Sequence, residues 1–321
     1  MLDKTQQTTF PQINSAYNRV FRPGRLSIGL VLPLEAYAVG VEPTMRRHLE
    51  AAQKAETLGF AALWLRDVPF NVPSFGDAGQ IFDPFVYLGA LATATDRIAL
   101  GTASVILPLR HPAHVAKAAA TTDVLSDGRL LLGVASGDRP EEYPAMNYSF
   151  EDRGARFRDS FDYIRAVGAA NPTHDGPNST LSGNVDLLPK PHGTRLPMLI
   201  TGGSQQSPDW VAQNGDGWIT YPRNAAAQCQ VIADYRARLA SAGQSNKPVT
   251  QSLYVDLVSN PKAGPRPIHL GFQSGADFLC SYLREIEALG VNHVALNLRF
   301  NQGPIDTTLE HLADVVLPAF S

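Results

Sequence analysis

From residue 26 almost to its end, the chain alternates short apolar runs with stretches whose apolar residues recur every three or four positions. The first kind predicts buried strands and the second amphipathic helices. Strands are expected at Leu26–Leu32, Ala61–Leu65, Ile98–Leu107, Leu130–Ser136, Pro197–Thr201, Gly217–Thr220, Leu253–Val258 and Val294–Leu298. Helices are expected between them at Thr44–Leu58, Pro84–Thr95, His114–Leu125, Arg153–Val167, Pro208–Asn214, Ala225–Ala242 and Gly275–Leu289. Gly59, Gly243 and Gly290 follow three of these helices as stop signals. The clearest unit lies in residues 98–140. One strand ends in Pro108, Pro112 sits where a first-turn proline belongs, and Ser126-Asp127-Gly128 breaks the helix. A second strand then stops at Ser136-Gly137-Asp138. Strands joined through such a crossover are parallel neighbours.

Eight strands alternating with helices predict an α/β fold, a (β/α)8 TIM barrel with insertion loops at its C-terminal face. A doubly wound sheet would usually carry a glycine fingerprint after its first strand, and that turn here reads PLEAYAVGVEP. Residues 1–24 read as an N-terminal arm or tail, and residues 25–321 as one barrel domain. Three stretches interrupt the rhythm: Asp67–Asp83, Gly168–Arg195 and Asn260–Ser274. Loops of that length are usually functional or disordered, and all three could contribute to a lid.

Composition narrows the class. At 44% hydrophobic residues the chain can bury a full core, and a net charge of −3 gives no basic footprint for nucleic acid or an anionic membrane. No apolar run reaches the ~18 residues of a bilayer span, and the polar first residues lack a signal-peptide core. Cys229 and Cys280 stand alone, without disulfide or metal-ligand spacing. A cytoplasmic protein without a metal site is expected.

Candidate chemistry gathers at the expected strand ends. The fifth strand runs into Gly202-Gly203-Ser204-Gln205-Gln206-Ser207, followed by Pro208. Glycines let the backbone approach a ligand, and amides at a helix start attract anions, so Gly203, Ser204 and Ser207 suit a phosphate. A tight turn with a serine cap accounts for the same residues. Arg153 and Arg156 lie one helical turn apart, suited to phosphate or to a salt-bridged surface with Glu151, Asp152 and Asp159. His111 and His114 flank a helix start, and a strand-end histidine facing the cavity is expected there. Glu35, Arg66 and Asp67 should lie at the barrel mouth, as an ion-pair lattice or as substrate contacts. The chain shows no nucleophile elbow, and an organic cofactor is expected to supply the difficult chemistry.

The segment GTASVILPLRHPAHVAKAAATTDVLSDGRLLLGVASG closely resembles the third-to-fourth-strand signature of the flavin-dependent, bacterial luciferase-like monooxygenases. LPKPHGTRLPMLITGGSQQS resembles that family's run into the fifth strand, and GDGWIT its sixth. The resemblance covers about residues 25–320 and implies FMN at the C-terminal face. By position it implies Ala103 and Ser104 under the isoalloxazine ring, where this family often has a strained peptide link. It implies Ser136, Gly137 and Asp138 along the ring and ribityl chain, and Arg153, Gly203, Ser204 and Ser207 at the phosphate. Where luciferase carries a histidine pair after the second strand, this chain has Arg66 and Asp67, so light emission is not expected. Arg66 or His111 could donate hydrogen bonds during catalysis, with Asp67 orienting Arg66. The expected activity is an FMN-dependent monooxygenation of a small-molecule substrate, with reduced flavin from a separate flavin reductase. Deazaflavin-dependent hydride transfer and a non-catalytic flavin-binding protein are the alternatives, and a homodimer is an open assembly.

Overall fold

The computed structural model describes residues 9–37, 42–76, 78–177 and 179–320. Eight strands alternate with helices: β1 (Ser27–Val31), β2 (Ala62–Leu65), β3 (Ala99–Thr102), β4 (Leu130–Ala135), β5 (Met198–Thr201), β6 (Gly217–Thr220), β7 (Val249–Leu257) and β8 (His293–Asn297). Each pairs in parallel with its neighbour in sequence, and β8 pairs with β1, closing a (β/α)8 barrel. The outward faces of the strands and the inward stripes of the helices form the main core, with Leu30, Leu63, Leu100, Leu132, Val255 and Leu296 at or near complete burial.

The run expected from Ile98 to Leu107 is divided. β3 ends at Thr102, a cis peptide joins Ala103 to Ser104, and Val105–Ile106 resumes pairing beside Val134–Ala135 of β4. Ala103 turns its amide to Leu65 O at 2.6 Å, and Thr102 Oγ1 donates to Gly133 O at 2.8 Å. Both residues of the cis bond therefore lie where the strand leaves the barrel wall.

Inside the barrel the packing is polar as well as apolar. Trp64 Nε1 donates to His293 Nε2 at 2.8 Å, and Ser27 Oγ lies 2.7 Å from His293 Nδ1. Accepting at Nε2 puts the histidine's proton on Nδ1, and complete burial lowers its pKa to about 3, so the ring is neutral. The indole has room because residue 101 is glycine: a Cβ there would come within 2.5 Å of the Trp64 ring.

Residues 9–21, read from the sequence within the arm, close the bottom of the barrel. A short helix (Ser15–Val20) buries Ala16, Tyr17 and Val20, and Phe10, Ile13 and Phe21 pack with it on inward-facing Trp64, Ala99, Leu131 and Leu199. Asn14 caps that helix through Tyr17 N, and its amide donates to Leu130 O at 2.8 Å.

The insertions divide between the two faces. Residues 168–195 carry an antiparallel hairpin, Thr173–Asp175 with Thr180–Ser182, held against the helix Arg153–Val167 by His174 and Asp159 at 3.1 Å. The segment then passes under the barrel, where Thr194 N donates to Ile13 O. Its described residues lie at the base and none lines the mouth, so they form no part of a lid, the role weighed for them in the sequence. The loops 67–83 and 260–274 do reach the mouth. In the second, Gly271–Ser274 pairs with β7, and His269 and Leu270 project toward the opening.

Candidate active site

A cavity of about 870 Å3 opens at the C-terminal ends of the strands. Trp64 and Ala295 lie on its floor, and the walls take one or two residues from nearly every strand end. Of the residues singled out in the sequence, Arg66, Asp67, Ala103, Ser104, Ser136, Gly137, Asp138, Gly203 and Ser204 all line it. His111, Arg153 and Ser207 do not.

Those three have local employment. His111 is exposed and caps the helix Pro112–Leu125, its Nδ1 accepting from Ala113 N at 3.2 Å. Ser207 caps Pro208–Asn214 in the same way, through Trp210 N. Arg153 stacks on Phe150, with its guanidinium carbon 3.7 Å from the ring centre, and donates to Phe150 O. Arg156 stacks likewise on Tyr148 and donates to Pro108 O. Glu35 accepts from the amides of Thr44 and Met45.

At one end of the cavity the chain turns sharply through residues 202–205, with left-handed φ at Gly202, Ser204 and Gln205. Gly203, Ser204 and Gln205 line the cavity, and their amides have no hydrogen-bond partner among the described residues. A Cβ at Gly203 would meet only Gln206 O, at 3.5 Å, so the space in front of this backbone is open. Ser204 Oγ donates back to Thr201 O, and Gln206 Nε2 ties the turn to Gly154 O at 2.8 Å. Clustered free amides of this kind form a concavity suited to an anion. At the cis peptide, Ser104 Oγ and Thr201 Oγ1 share a hydrogen bond, which joins β3 to β5 beneath the cavity.

The roof is the loop 67–83, and charged groups hold it down. Asp67, with a buried carboxylate, takes two hydrogen bonds from Arg110, each 2.8 Å, and a third from Ile106 N. Arg110 also reaches Asp83 at 2.8 Å, so one guanidinium pins both ends of the loop. The sequence reading had Asp67 orient Arg66. Its partner is Arg110 instead, because Arg66 turns toward Gly79 of the loop, where a Cβ would lie 3.3 Å from its guanidinium. Arg299 donates to Gly76 O at 2.8 Å, and Arg139 stacks on Phe75 at 4.1 Å.

Glu142 also lines this wall, buried, with Oε1 3.6 Å from Arg139 Nη1. Burial, opposed by Arg139 and reinforced by Asp67 and Asp138, raises its carboxyl pKa to about 7. Arg110, Arg139, Glu142 and Arg299 were not singled out in the sequence. The only local sign was the charged spacing of SGDRPEEYP, which reads equally well as a solvated turn.

A closed α/β barrel with a glycine-lined cavity at its C-terminal face has the architecture of a barrel enzyme with its active site at that face. The luciferase-like monooxygenase family model matches residues 26–263, and the chain belongs to that family. An uncharacterised protein of Mycobacterium tuberculosis is 33% identical over 191 residues, 54% of this chain and 67% of that protein. The F420-dependent hydroxymycolic acid dehydrogenase of the same species is 27% identical over 79% of this chain and 69% of its own length. The oxygenase component of flavin-dependent trigonelline monooxygenase from Acinetobacter baylyi is 29% identical over 52% of this chain and 46% of its own. In fold, the monooxygenase RslO1 from Streptomyces bottropensis superposes with a TM-score of 0.77 at 19% identity, over 92% of this chain and all of that one. Family members are oxidoreductases, and the relatives divide between flavin and the deazaflavin F420. No described helix is long and apolar enough to cross a membrane.

Proposed function

We propose that the protein is an FMN-dependent monooxygenase acting with reduced FMN and oxygen on a small organic substrate. The observation that carries this reading is the row of free amides at Gly203, Ser204 and Gln205, at one end of a roofed cavity. FMN ends in a phosphate dianion, and convergent backbone donors are what such a group requires. In this reading Ala103 and Ser104 support the ring, Ser136, Gly137 and Asp138 follow the ribityl chain, and amides take the place of Arg153 at the phosphate. FMN, when bound, supplies the oxygen-activating chemistry. The loop 67–83 excludes water, and Arg66 contributes a fixed positive charge at the mouth. A separate flavin reductase supplies the reduced cofactor, in keeping with a relative described as an oxygenase component.

Deazaflavin-dependent hydride transfer is the second reading. It is favoured by similarity to the F420-dependent dehydrogenase across 79% of the chain. Parallel fluorescence titrations with FMN, riboflavin and F420 separate the two. FMN is expected to bind at least tenfold tighter than riboflavin and tighter than F420, and Ala103→Leu is expected to abolish binding with an unchanged far-UV circular dichroism spectrum. Tighter binding of F420 than of FMN sinks the monooxygenase reading. Equal affinity for FMN and riboflavin removes the amides at residues 203–205 as the phosphate site.

A further inference from the structure

The face of the barrel opposite the candidate active site carries a second cavity, of about 420 Å3, which none of the chemistry above uses. It lies between the N-terminal helix, the turns before β1, β2 and β3, and the C-terminal residues Leu317 and Phe320. Its volume falls within the range of small-molecule sites, roughly 300–1,000 Å3.

The lining is divided by chemistry. Leu26, Ile28, Phe60 and Ile98 form an apolar floor, and all four are anchored in the core. Four arginines, Arg19, Arg22, Arg25 and Arg97, stand at the rim. Arg25 N donates to Arg22 O at 3.2 Å, and the Arg19 guanidinium donates to Arg97 O, so two pairs are held side by side. None of the four makes an ion pair among the described residues. Glu56 is the only acidic residue in the lining, and its carboxylate is committed to the amides of Asp96, Arg97 and Ile98 at 2.6–3.2 Å. Glu287, just outside the lining, accepts from Leu26 N at 2.7 Å, so four guanidinium groups stand against two engaged carboxylates and leave an excess of positive charge around one opening, in a chain whose net charge is −3.

Like charges around one opening repel, and a low-dielectric wall strengthens their common field. Guanidinium groups relieve that repulsion best with an oxyanion, which they hold by paired hydrogen bonds. A simple anion would leave the apolar floor wet. An anion with an apolar body satisfies both halves of the lining.

We propose that this basal cleft is a binding site for an anionic amphiphile, a phosphate or carboxylate carried on an acyl or aryl body. The headgroup sits among Arg22, Arg25 and Arg97, and the apolar body lies along Leu26, Phe60 and Ile98 toward Phe320.

The test is calorimetric titration of the full-length chain with dodecyl phosphate below its micellar concentration, beside inorganic phosphate and uncharged dodecyl maltoside. Dodecyl phosphate is expected to bind at least tenfold tighter than either control. The exposed double variant Arg22→Gln/Arg25→Gln is expected to weaken it at least tenfold, with the melting temperature of the unliganded protein unchanged. Equal affinity for inorganic phosphate, an adventitious ion only, overturns the proposal. So does equal affinity for the maltoside, or full affinity in a folded double variant. Should that variant not fold, the comparison of the three ligands decides alone. Co-sedimentation with phosphatidylglycerol vesicles, but not phosphatidylcholine vesicles, assigns a bilayer lipid as the source of the ligand. Its absence, with dodecyl phosphate bound, assigns a soluble one. Binding to vesicles without binding of monomeric dodecyl phosphate also overturns the cleft, since a charged surface suffices for that.

Discussion

Glu142 ties the candidate site to pH through a single proton. Its carboxyl is buried against Arg139 with Asp67 and Asp138 nearby, and in the folded protein it titrates at about 7. An exposed glutamate titrates near ~4.3, so the folded state binds the proton more tightly than the unfolded chain. The resulting stabilisation is complete below the unfolded value and is lost as pH rises through 7. Glu142→Gln keeps the shape and removes the titration. Between pH 5 and pH 8 the native protein is therefore expected to lose roughly 2 kcal/mol more unfolding free energy than the variant. Urea melts of both proteins across that interval measure the difference. Superimposable pH curves would mean that the carboxyl is solvated and that the wall beneath the loop is open.

At the scale of elements, the loop 67–83 is a roof with a pinned neck. Asp67 begins it, Asp83 caps the helix that follows it, and Arg110 holds both carboxylates. Removing the guanidinium leaves Asp67 buried without its counter-charge, a change that typically costs ~3–5 kcal/mol. Arg110→Met should destabilise the protein by about that much and speed amide exchange in residues 68–76, leaving β1–β8 protected. Adding Asp67→Asn should restore much of the stability, because the uncompensated charge is gone, without restoring the roof. If exchange in the loop is unchanged in Arg110→Met, the neck does not control it. Legibility in the sequence follows the same division between local and distant causes. The helix stops were readable because they are local: Gly59, Gly243 and Gly290 each adopt the left-handed φ that ends a helix. Strand positions were readable because apolar runs report burial. The clamp was not, since 43 residues separate Asp67 from Arg110 and no spacing rule joins them. His111-Pro112 and Ser207-Pro208 show the opposite failing. Both are a polar side chain ahead of a first-turn proline, and the cap explains each without recourse to the cavity.

At the scale of the whole molecule, the first described residues complete the barrel rather than trail from it. The inward positions Ala62 and Ala99 are small, and a barrel lined by alanine at its base leaves space that must be filled. Tyr17 and Phe21 take part in filling it, their rings edge to face at 5.2 Å, and Tyr17 OH donates to Asp216 O at 2.6 Å ahead of β6. The plug also reaches the floor of the cavity. Val20 O accepts from Ser27 Oγ, which meets His293, which in turn accepts from the Trp64 indole that lines the cavity. Plug, barrel interior and candidate site are therefore expected to unfold together. Tyr17→Ala removes a fully buried aromatic ring and its hydrogen bond, and losses of that kind run to ~3–5 kcal/mol. The variant should melt in one transition, at a lower temperature, with circular dichroism and tryptophan fluorescence changing in step. A loosely attached arm behaves differently. It would leave the melting temperature unchanged, and limited proteolysis would remove residues 9–21 without altering the tryptophan signal.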